Sequence, residues 1–157
     1  MSEIDPLRAA AARISGCAEL LDVRLVSMSA VSLNFAAPDV ALGFQVEISP
    51  EVSHAEGAAA LGVTVAFTVE VFEANEEGER GTEVARIECR YAALFVCDLV
   101  PPAQPDEVDA FARTVGVMAL YPYARAVIQD TTARMGLPAL TMGIYRIAID
   151  DPEPADS

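Results

Sequence analysis

The feature that most constrains the fold is a period-two alternation of apolar and polar residues, which recurs in four consecutive segments. The clearest segment runs from Leu61 to Phe72, where every second residue from Val63 to Val71 is apolar. Successive side chains of a β-strand point to opposite faces, so this spacing predicts a strand with one buried face. A helix would need a period near 3.6.

Three further segments show the same alternation. They span about Leu21–Phe35, Phe44–Ile48 and Glu83–Leu99. Pro38 follows the first segment and Pro50 ends the second, with a polar connection predicted at Glu51–Gly57. The charged, glycine-containing stretch from Ala74 to Gly81 predicts a hairpin loop between the last two strands. Short connections between consecutive strands favour an antiparallel β-meander.

The fourth predicted strand changes character along its length. Its odd-numbered residues are mostly apolar, whereas its even-numbered residues are charged from Arg86 to Arg90 and apolar from Ala92 to Val96. A strand segment with two apolar faces needs cover on both sides. We therefore expect a helix or another subunit to pack against the even face.

Helices are predicted at both ends of the chain. Asp5-Pro6 begins a short N-terminal helix that stops at Gly16. Asp106 caps a second helix up to Gly116, and a third spans about Leu120 to Met135 with Pro122 in its first turn. The fold class is thus α+β: a four-stranded antiparallel β-meander with C-terminal helices on one face and a short N-terminal helix. We expect residues 1–149 to form a single domain and residues 150–157 to be an acidic disordered tail.

Charge and composition exclude several classes of function. The net charge is −14 and the ten cations are all Arg, which disfavours nucleic acid as a partner. Neither an apolar run long enough for membrane insertion nor a signal peptide is present, so a cytoplasmic location is expected. The spacing of Cys17, Cys89 and Cys97 fits neither a disulfide framework nor a zinc site, and free thiols are expected.

The residues do not form a catalytic pattern. The one histidine, His54, lies in a predicted polar loop, and the carboxylates at Glu76, Glu77 and Glu79 form a solvated charge run. Catalysis needs a nucleophile or acid–base group with an activating partner. We therefore predict a non-enzymatic binding or assembly protein with no catalytic residue, no metal and no cofactor.

A family resemblance lies in the C-terminal part of the chain. Leu120-Tyr-Pro-Tyr-Ala-Arg125, with Leu137-Pro138-Ala-Leu140 after it, resembles the C-terminal helix of SecB-type protein-export chaperones. Ala93-Leu94-Phe95 and Asn34-Phe35-Ala36-Ala37-Pro38 resemble further segments of that family, in the same order. The resemblance covers about residues 20–145.

The resemblance implies a homotetramer, built as a dimer of dimers, that acts as an ATP-independent holdase. Unfolded polypeptide clients would lie in apolar grooves, through candidates Phe44, Val46, Ile48, Tyr121, Tyr123, Leu137 and Leu140. Ile87, Cys89 and Tyr91 match the face that supports subunit assembly. Arg86 and Glu88 match the face where export members meet the translocase ATPase.

Ser32 and Ala36 depart from the export pattern, because export members carry acidic residues there. Arg86 also replaces an apolar residue, and the N-terminal helix is unlike the export form. These departures resemble the SecB-like branch of toxin–antitoxin–chaperone systems. The client is thus either a preprotein for the translocase or a cognate antitoxin. A function from another class, an α+β carrier that binds a small apolar ligand in a closed cavity, stays open.

Overall fold

The four alternating segments form one antiparallel sheet in the computed structural model, which describes residues 6–54 and 59–143. The elements in chain order are α1 (Pro6–Ser15), β1 (Glu19–Ser32), β2 (Ala41–His54), β3 (Ala60–Ala74), β4 (Arg80–Val96), α2 (Pro105–Phe111), a π-helical turn (Ala112–Gly116) and α3 (Val117–Arg134). The α+β class, with one N-terminal helix and C-terminal helices, is confirmed. None of the described helices is long and apolar enough to cross a membrane.

The order of the strands differs from a simple meander. It is β1-β4-β3-β2, so β2, β3 and β4 are sequential neighbours while β1 pairs with β4. The link between β1 and β2 crosses the end of the sheet, where the backbone N–H groups of Leu33 and Asn34 donate to the carbonyl of Val84. This arrangement is a Greek key. The predicted consecutive order is wrong for β1, because alternation indicates that a strand exists but not which strand it pairs with.

The second strand is longer than predicted. It continues through Pro50 to His54, with Val52 opposite Val63 of β3. The polar connection predicted from Glu51 therefore begins too early; residues 55–57 of that prediction lie outside the described residues. Proline is tolerated on an edge strand where its missing N–H would face away from the neighbouring strand. The presence of Pro50 in the sequence does not show that its strand lies at the edge of the sheet.

The core lies between the helices and one face of the sheet. Odd-numbered residues of β3 and β4 form this face and are buried: Leu61, Val63, Val65, Phe67, Val69, Val71, Ala85, Ile87, Cys89, Tyr91, Ala93 and Phe95. Aromatic pairs join the two layers, with ring centroids 5.0 Å apart for Phe95–Phe111 and 6.2 Å for Phe67–Tyr121. The prediction of helices on one face is confirmed.

The C-terminal helical region is continuous, and the predicted break after Gly116 is wrong. Gly116 lies within helical backbone, where a Cβ atom would come within 2.7 Å of Val63 Cγ1. The glycine therefore permits close helix–sheet contact and does not end a helix. The hydroxyl of Thr114 donates to the carbonyl of Ala110 at 2.7 Å inside this π-helical turn. Pro122 accordingly lies inside α3 rather than in a first turn.

The ends of the helices agree with the predictions in part. α1 ends at Ser15, next to the predicted stop at Gly16, while the predicted cap Asp5 lies outside the described residues. α2 begins without the predicted Asp106 cap, since the carboxylate of Glu107 accepts a hydrogen bond from the N–H of Gln104 at 2.7 Å. This hydrogen bond, together with the Arg13 guanidinium, holds the pKa of Glu107 below its usual range.

Two of the three cysteines form a disulfide, so the prediction of free thiols is wrong for them. Cys17 and Cys97 are bonded, with Cα atoms 5.4 Å apart, while Cys89 is free and buried. The two residues are 80 positions apart in the chain. They meet because β1 begins at Glu19, beside the end of β4, where Glu19 pairs with Val96. Local spacing carries no information about such a pairing.

Candidate functional site

The described residues contain no group of three or more His, Cys, Asp or Glu side chains placed to hold a metal ion. The side chain of His54 lies outside the described part of the chain. The surfaces that can bind a partner are instead apolar. They lie at the two edges of the sheet, along β2 and along β1.

A groove beside the first half of β2 collects three of the predicted client-binding residues. We call this cavity of about 180 Å³ the β2 groove; its lining includes Leu42, Phe44, Val71, Leu137 and Leu140. Phe44 is 46% exposed, whereas Leu140 is buried. The groove thus presents an aromatic side chain to solvent above an aliphatic floor. Such a surface suits an apolar segment of a polypeptide.

The wall of the β2 groove is the return segment, residues 137–143. Gly136 has a φ of +78°, which reverses the chain after α3. The Leu140 N–H then donates to the Thr132 hydroxyl at 2.9 Å, and the Tyr121 hydroxyl donates to the Gly143 carbonyl at 2.7 Å. The return segment therefore runs back along α3, and Tyr121 holds it in place while its ring packs on Phe67.

The remaining predicted client-binding residues lie on two different sides of α3. Val46 and Ile48 are half-buried and point to the helix-facing side, since they lie opposite Val69 and Phe67 in the register. They extend the line of Phe44 along β2. Tyr123 lies elsewhere, with its ring 5.9 Å from that of Tyr91 on β4. Of the predicted groove residues, Phe44, Leu137 and Leu140 therefore line one cavity. Val46 and Ile48 continue the line of Phe44 along β2, Tyr121 holds the return segment, and Tyr123 lies apart from the others.

A larger cavity continues along the second half of β2, and sequence reasoning missed it. We call it the proline groove; its volume is about 860 Å³ and its lining includes Pro50, Val52, Pro102, Pro105 and Val108. Glu51 and Asp109 contribute charge to the same cavity. The proline-rich stretch before α2 was the feature of the sequence that could have indicated this cavity. Val52 was assigned to a loop, because the second strand was predicted to end at Pro50.

The opposite edge of the sheet exposes apolar side chains, and three of them, Leu21, Leu25 and Val31, were expected on the buried face of the strand. We call this the β1 surface; it comprises Leu20, Leu21, Leu25, Val26, Met28 and Val31. Two register shifts, after Leu20 and after Leu25, change which face the strand presents. A single buried face was the wrong expectation, because none of the described helices packs over β1. Exposed apolar side chains along a sheet edge are typical of an interaction surface.

The residues predicted to support assembly lie beneath this surface rather than on it. Ile87, Cys89 and Tyr91 are buried by the chain's own helix. Burial, with a smaller effect of the Glu88 charge, raises the pKa of the Cys89 thiol to about 11. Cys89 and Tyr91 lie directly opposite Met28 and Leu25 of β1. Their role in assembly stays a prediction. The exposed apolar side chains next to them belong to β1.

The other face of the sheet carries the residues predicted to meet a translocase. Arg86 and Glu88 are both exposed there. Arg86 pairs with Glu83 at 2.9 Å and with Glu70 at 3.1 Å, and these carboxylates, Glu83 foremost, raise its pKa. A helix was one of the two covers predicted for the apolar end of this face, the other being another subunit. No described helix covers it, since Leu94 is 41% exposed.

Comparison with known proteins finds close similarity to one chaperone. No family model matches the chain. It is 31% identical over 152 residues to the SecB-like chaperone Rv1957 of Mycobacterium tuberculosis strain H37Rv, covering 88% of this chain and 83% of that protein. The SecB-like chaperone MT2006 of M. tuberculosis strain CDC 1551 matches equally.

A solved structure gives the same result. M. tuberculosis Rv1957, in complex with a ChAD peptide from the Rv1956 HigA1 antitoxin, superposes with a TM-score of 0.79 at 28% identity. The match covers 90% of this chain and 99% of the other. Sequence and three-dimensional structure therefore point to one family over most of the chain.

Proposed function

This chain belongs to the family of SecB-like chaperones, which are not enzymes, and we propose that it is an ATP-independent holdase for an antitoxin. It would bind an exposed apolar extension of that client and keep the client from aggregating. The observation that carries the proposal is the β2 groove, which gathers Phe44, Leu137 and Leu140 beside the line of Val46 and Ile48 on β2.

The physical basis of client binding is apolar burial. Covering apolar surface contributes about 25 cal/mol per Å², and an extended peptide spreads that contribution over several side chains. The groove is narrow and lies along a strand, so it suits an extended chain. Since Rv1957 was solved with an antitoxin peptide bound, a polypeptide client fits better than the small ligand of a closed-cavity carrier.

The alternative client, a preprotein handed to the translocase ATPase, is less well supported. That role would use Arg86 and Glu88 on the far face of the sheet. Arg86, however, is held by Glu70 and Glu83, and Ser32 and Ala36 lack the acidic groups of export members. We therefore propose a cytoplasmic antitoxin as the client.

The proposal includes assembly as a homotetramer, a dimer of dimers. The β1 surface supports it, because an edge strand with apolar side chains exposed on both faces needs a cover. Ile87, Cys89 and Tyr91 would support the interface from inside the subunit. A second copy of this chain presents the same surface and can pair with it.

A charged residue placed in the β2 groove tests whether this groove binds the client. Phe44→Asp should weaken binding of reduced, carboxymethylated α-lactalbumin, a soluble unfolded chain, by about tenfold or more, because a desolvated carboxylate replaces an aromatic ring. Leu94→Asp, at a similarly exposed apolar position on the far face, is the matched control and should bind as the wild type does. Fluorescence anisotropy measures both. Equal affinity of Phe44→Asp and wild type would contradict the groove assignment.

The identity of the client is tested by co-purification from native lysate. We expect an antitoxin in the complex, and expect Phe44→Asp to lose it. Recovery of the translocase ATPase with preproteins, and of no antitoxin, would instead establish the export role.

A further inference from the structure

We propose that the Cys17–Cys97 disulfide is a redox switch, which fixes one wall of the proline groove when it is formed and loosens that wall when it is reduced. The wall is the segment of residues 97–104, which connects β4 to α2 and which we call the wall segment. The inference rests on the proposed function, because the proline groove continues the apolar strip along β2 where the client is proposed to bind.

The wall segment has little regular structure of its own. It lies outside the helices and strands, and Pro101 and Pro102 have no N–H to donate. Pro102, Ala103 and Gln104 line the proline groove. A segment of this kind keeps its position through contacts with neighbouring elements, so the shape of the groove depends on what holds the wall segment.

An arginine on α1 is the first contact that holds it. The Arg13 guanidinium donates to the carbonyl of Pro101 at 2.6 Å and to both carboxylate oxygens of Glu107 at 2.9 and 3.0 Å. The same carboxylate accepts a hydrogen bond from the N–H of Gln104 at 2.7 Å. Ile14, next to Arg13, is buried in the core and anchors α1. Arg13 therefore ties the middle and the end of the wall segment to a fixed helix.

The disulfide is the second tie, at the start of the wall segment. Cys17 follows α1, and Cys97 follows β4 directly. Cys17 is exposed and Cys97 is half-buried, so a reductant can approach from the side of Cys17. The carbonyl oxygen of Ile14 lies 3.5 Å from the Cys17 Sγ and 3.9 Å from the Cys97 Sγ. This oxygen can therefore accept hydrogen bonds from the two thiols that reduction produces.

Reduction proceeds as thiol–disulfide exchange with a dithiol reductant. One thiolate of the reductant attacks the Cys17 sulfur, forms a mixed disulfide and releases the Cys97 thiolate, which takes up a proton. The second thiol of the reductant loses its proton and displaces Cys17, so the reductant leaves as a disulfide and the chain keeps two thiols. Disulfides in a reducing cytosol are usually transient or redox-sensing. The proposed cytoplasmic location therefore agrees with a bond that opens and closes.

The state of the bond sets how well the groove is formed before a client arrives. With the bond closed, the wall segment is fixed at its start by Cys97 and further on by Arg13. With the bond open, only the Arg13 tie of these two is left. A groove that is already ordered loses less conformational entropy when a polypeptide enters it. The bonded form should therefore be the form with higher affinity for a client.

Hydrogen exchange on the folded protein tests the switch without any client. Amides of residues 99, 100, 103 and 104 should exchange about tenfold faster after reduction by dithiothreitol, because the wall segment opens more often. The N–H groups of Glu77 and Glu79, which Asn75 holds in the hairpin loop at the other end of β4, should be unchanged. Cys17→Ser should exchange like the reduced wild type with or without dithiothreitol.

Alkylation of free thiols, followed by mass measurement, reports the state of the bond in the same samples. If dithiothreitol reduces the bond only in urea that unfolds the chain, the disulfide is a static tie and the proposal is overturned. Equal exchange of the wall segment in the bonded and the reduced chain overturns it as well.

A substitution of Arg13 tests whether the two ties hold the same segment. Arg13→Gln should speed exchange of the wall segment by less than about threefold while the bond is closed, and by about tenfold once it is open, because either tie alone limits the motion. Arg8→Gln, at an exposed position on α1, is the matched control for loss of a cation. If reduction and Arg13→Gln simply multiply, the ties act on separate segments and the proposed mechanism fails.

Client affinity is the functional readout. Reduced, carboxymethylated α-lactalbumin has no free thiol to exchange with the bond, and it should bind about threefold to tenfold more tightly to the bonded chain than to the reduced chain. Val52→Asp, in the proline groove, should abolish that difference. If exchange changes as expected but neither form binds this probe, the switch stands and the proposed holdase function fails. If the probe binds equally to both forms of the wild type, this inference fails.

Discussion

The two edge strands of the sheet, β1 and β2, carry similar apolar residues, but the rest of the chain packs against them differently. At the β2 edge, the return segment packs along the helix-facing side and leaves a narrow groove around Phe44. At the β1 edge no described segment packs over the strand, and Leu25 and Met28 stay 48% and 38% exposed. A narrow concave surface suits an extended segment that exchanges. A long uncovered edge suits a permanent folded partner.

The ends of β1 are nevertheless firmly held. Cys17 is bonded to Cys97 beside the first pair of the strand, Glu19 and Val96. At the other end, the side-chain amide of Asn34 donates to the carbonyl of Glu83 at 2.8 Å. The exposed apolar residues between these ends are therefore presented on fixed backbone. Fixed backbone lowers the entropy cost of forming an interface.

The largest effect is expected from substitutions on β1 that disrupt subunit assembly. Leu25→Asp combined with Met28→Asp should convert the assembled protein to smaller species, since losing burial of two apolar side chains costs about 4 kcal/mol, roughly a thousandfold in the association constant. Light scattering after size exclusion measures the mass. Ser29→Asp, on the other face of β1, is the control, and Phe44→Asp at the β2 edge should leave the mass unchanged. An unchanged mass for the double variant would mean that β1 is not the interface.

The next effect concerns the covalent tie at the start of β1. Cys17→Ser should lower the free energy of unfolding by about 2–4 kcal/mol, because an 80-residue separation no longer constrains the unfolded chain. Urea denaturation measures it. Reductant should shift the wild type to the midpoint of the variant and leave the variant unchanged. No shift of the wild type on reduction would contradict the disulfide.

A smaller effect is expected at the β2 edge. Thr132→Val keeps the shape of the side chain but removes the acceptor for the buried Leu140 N–H, which should cost about 1–3 kcal/mol. Thr131→Val is a matched control, because the Thr131 hydroxyl donates to the carbonyl of Val127 within its own helix. Urea denaturation and hydrogen exchange at residues 140–143 distinguish the two. Equal behaviour would show that this hydrogen bond does not position the return segment.

The smallest effect is expected on the far face, which both edges share. Hydrogen bonding to Arg80, with the charges of Arg80 and Arg86, lowers the pKa of Glu70 below its usual range against an opposing effect of desolvation. A carboxyl group with a lowered folded-state pKa stabilises the fold above its unfolded pKa, and the contribution is lost as pH falls through the folded-state value. Glu70→Gln should therefore lower the thermal midpoint slightly at about pH 7 and not at about pH 2.

Glu47→Gln serves as the control for that measurement, because Glu47 lies on β2 and on the same face of the sheet as Glu70. Because the Glu70 side chain is partly exposed to solvent, added salt should shrink the difference between wild type and variant. A difference that grows as the pH falls would contradict the sign of the effect.

Much of the fold could be predicted from local pattern. The alternation around Phe67 indicated a strand with one buried face, and that face is the core. The region around Tyr121 and Tyr123 was correctly assigned to a helix and supplied the family resemblance. Of the predicted groove residues, Phe44, Leu137 and Leu140 meet in one cavity. The proline groove was missed because Pro50 was interpreted as the end of a strand.

The sequence by itself determined which residues are apolar, at what period they recur and, through one helix motif, to which family they point. These properties depend on neighbours a few positions apart, and the covalent chain sets them directly. Only the tertiary structure decided that β1 pairs with β4, that Cys17 meets Cys97, and that Gly116 permits contact with Val63 rather than ending a helix. Those outcomes depend on which distant segments come together, and that choice minimises the exposed apolar surface of the whole chain at once. The apolar residues of β1 are among those that the described part of one chain leaves exposed.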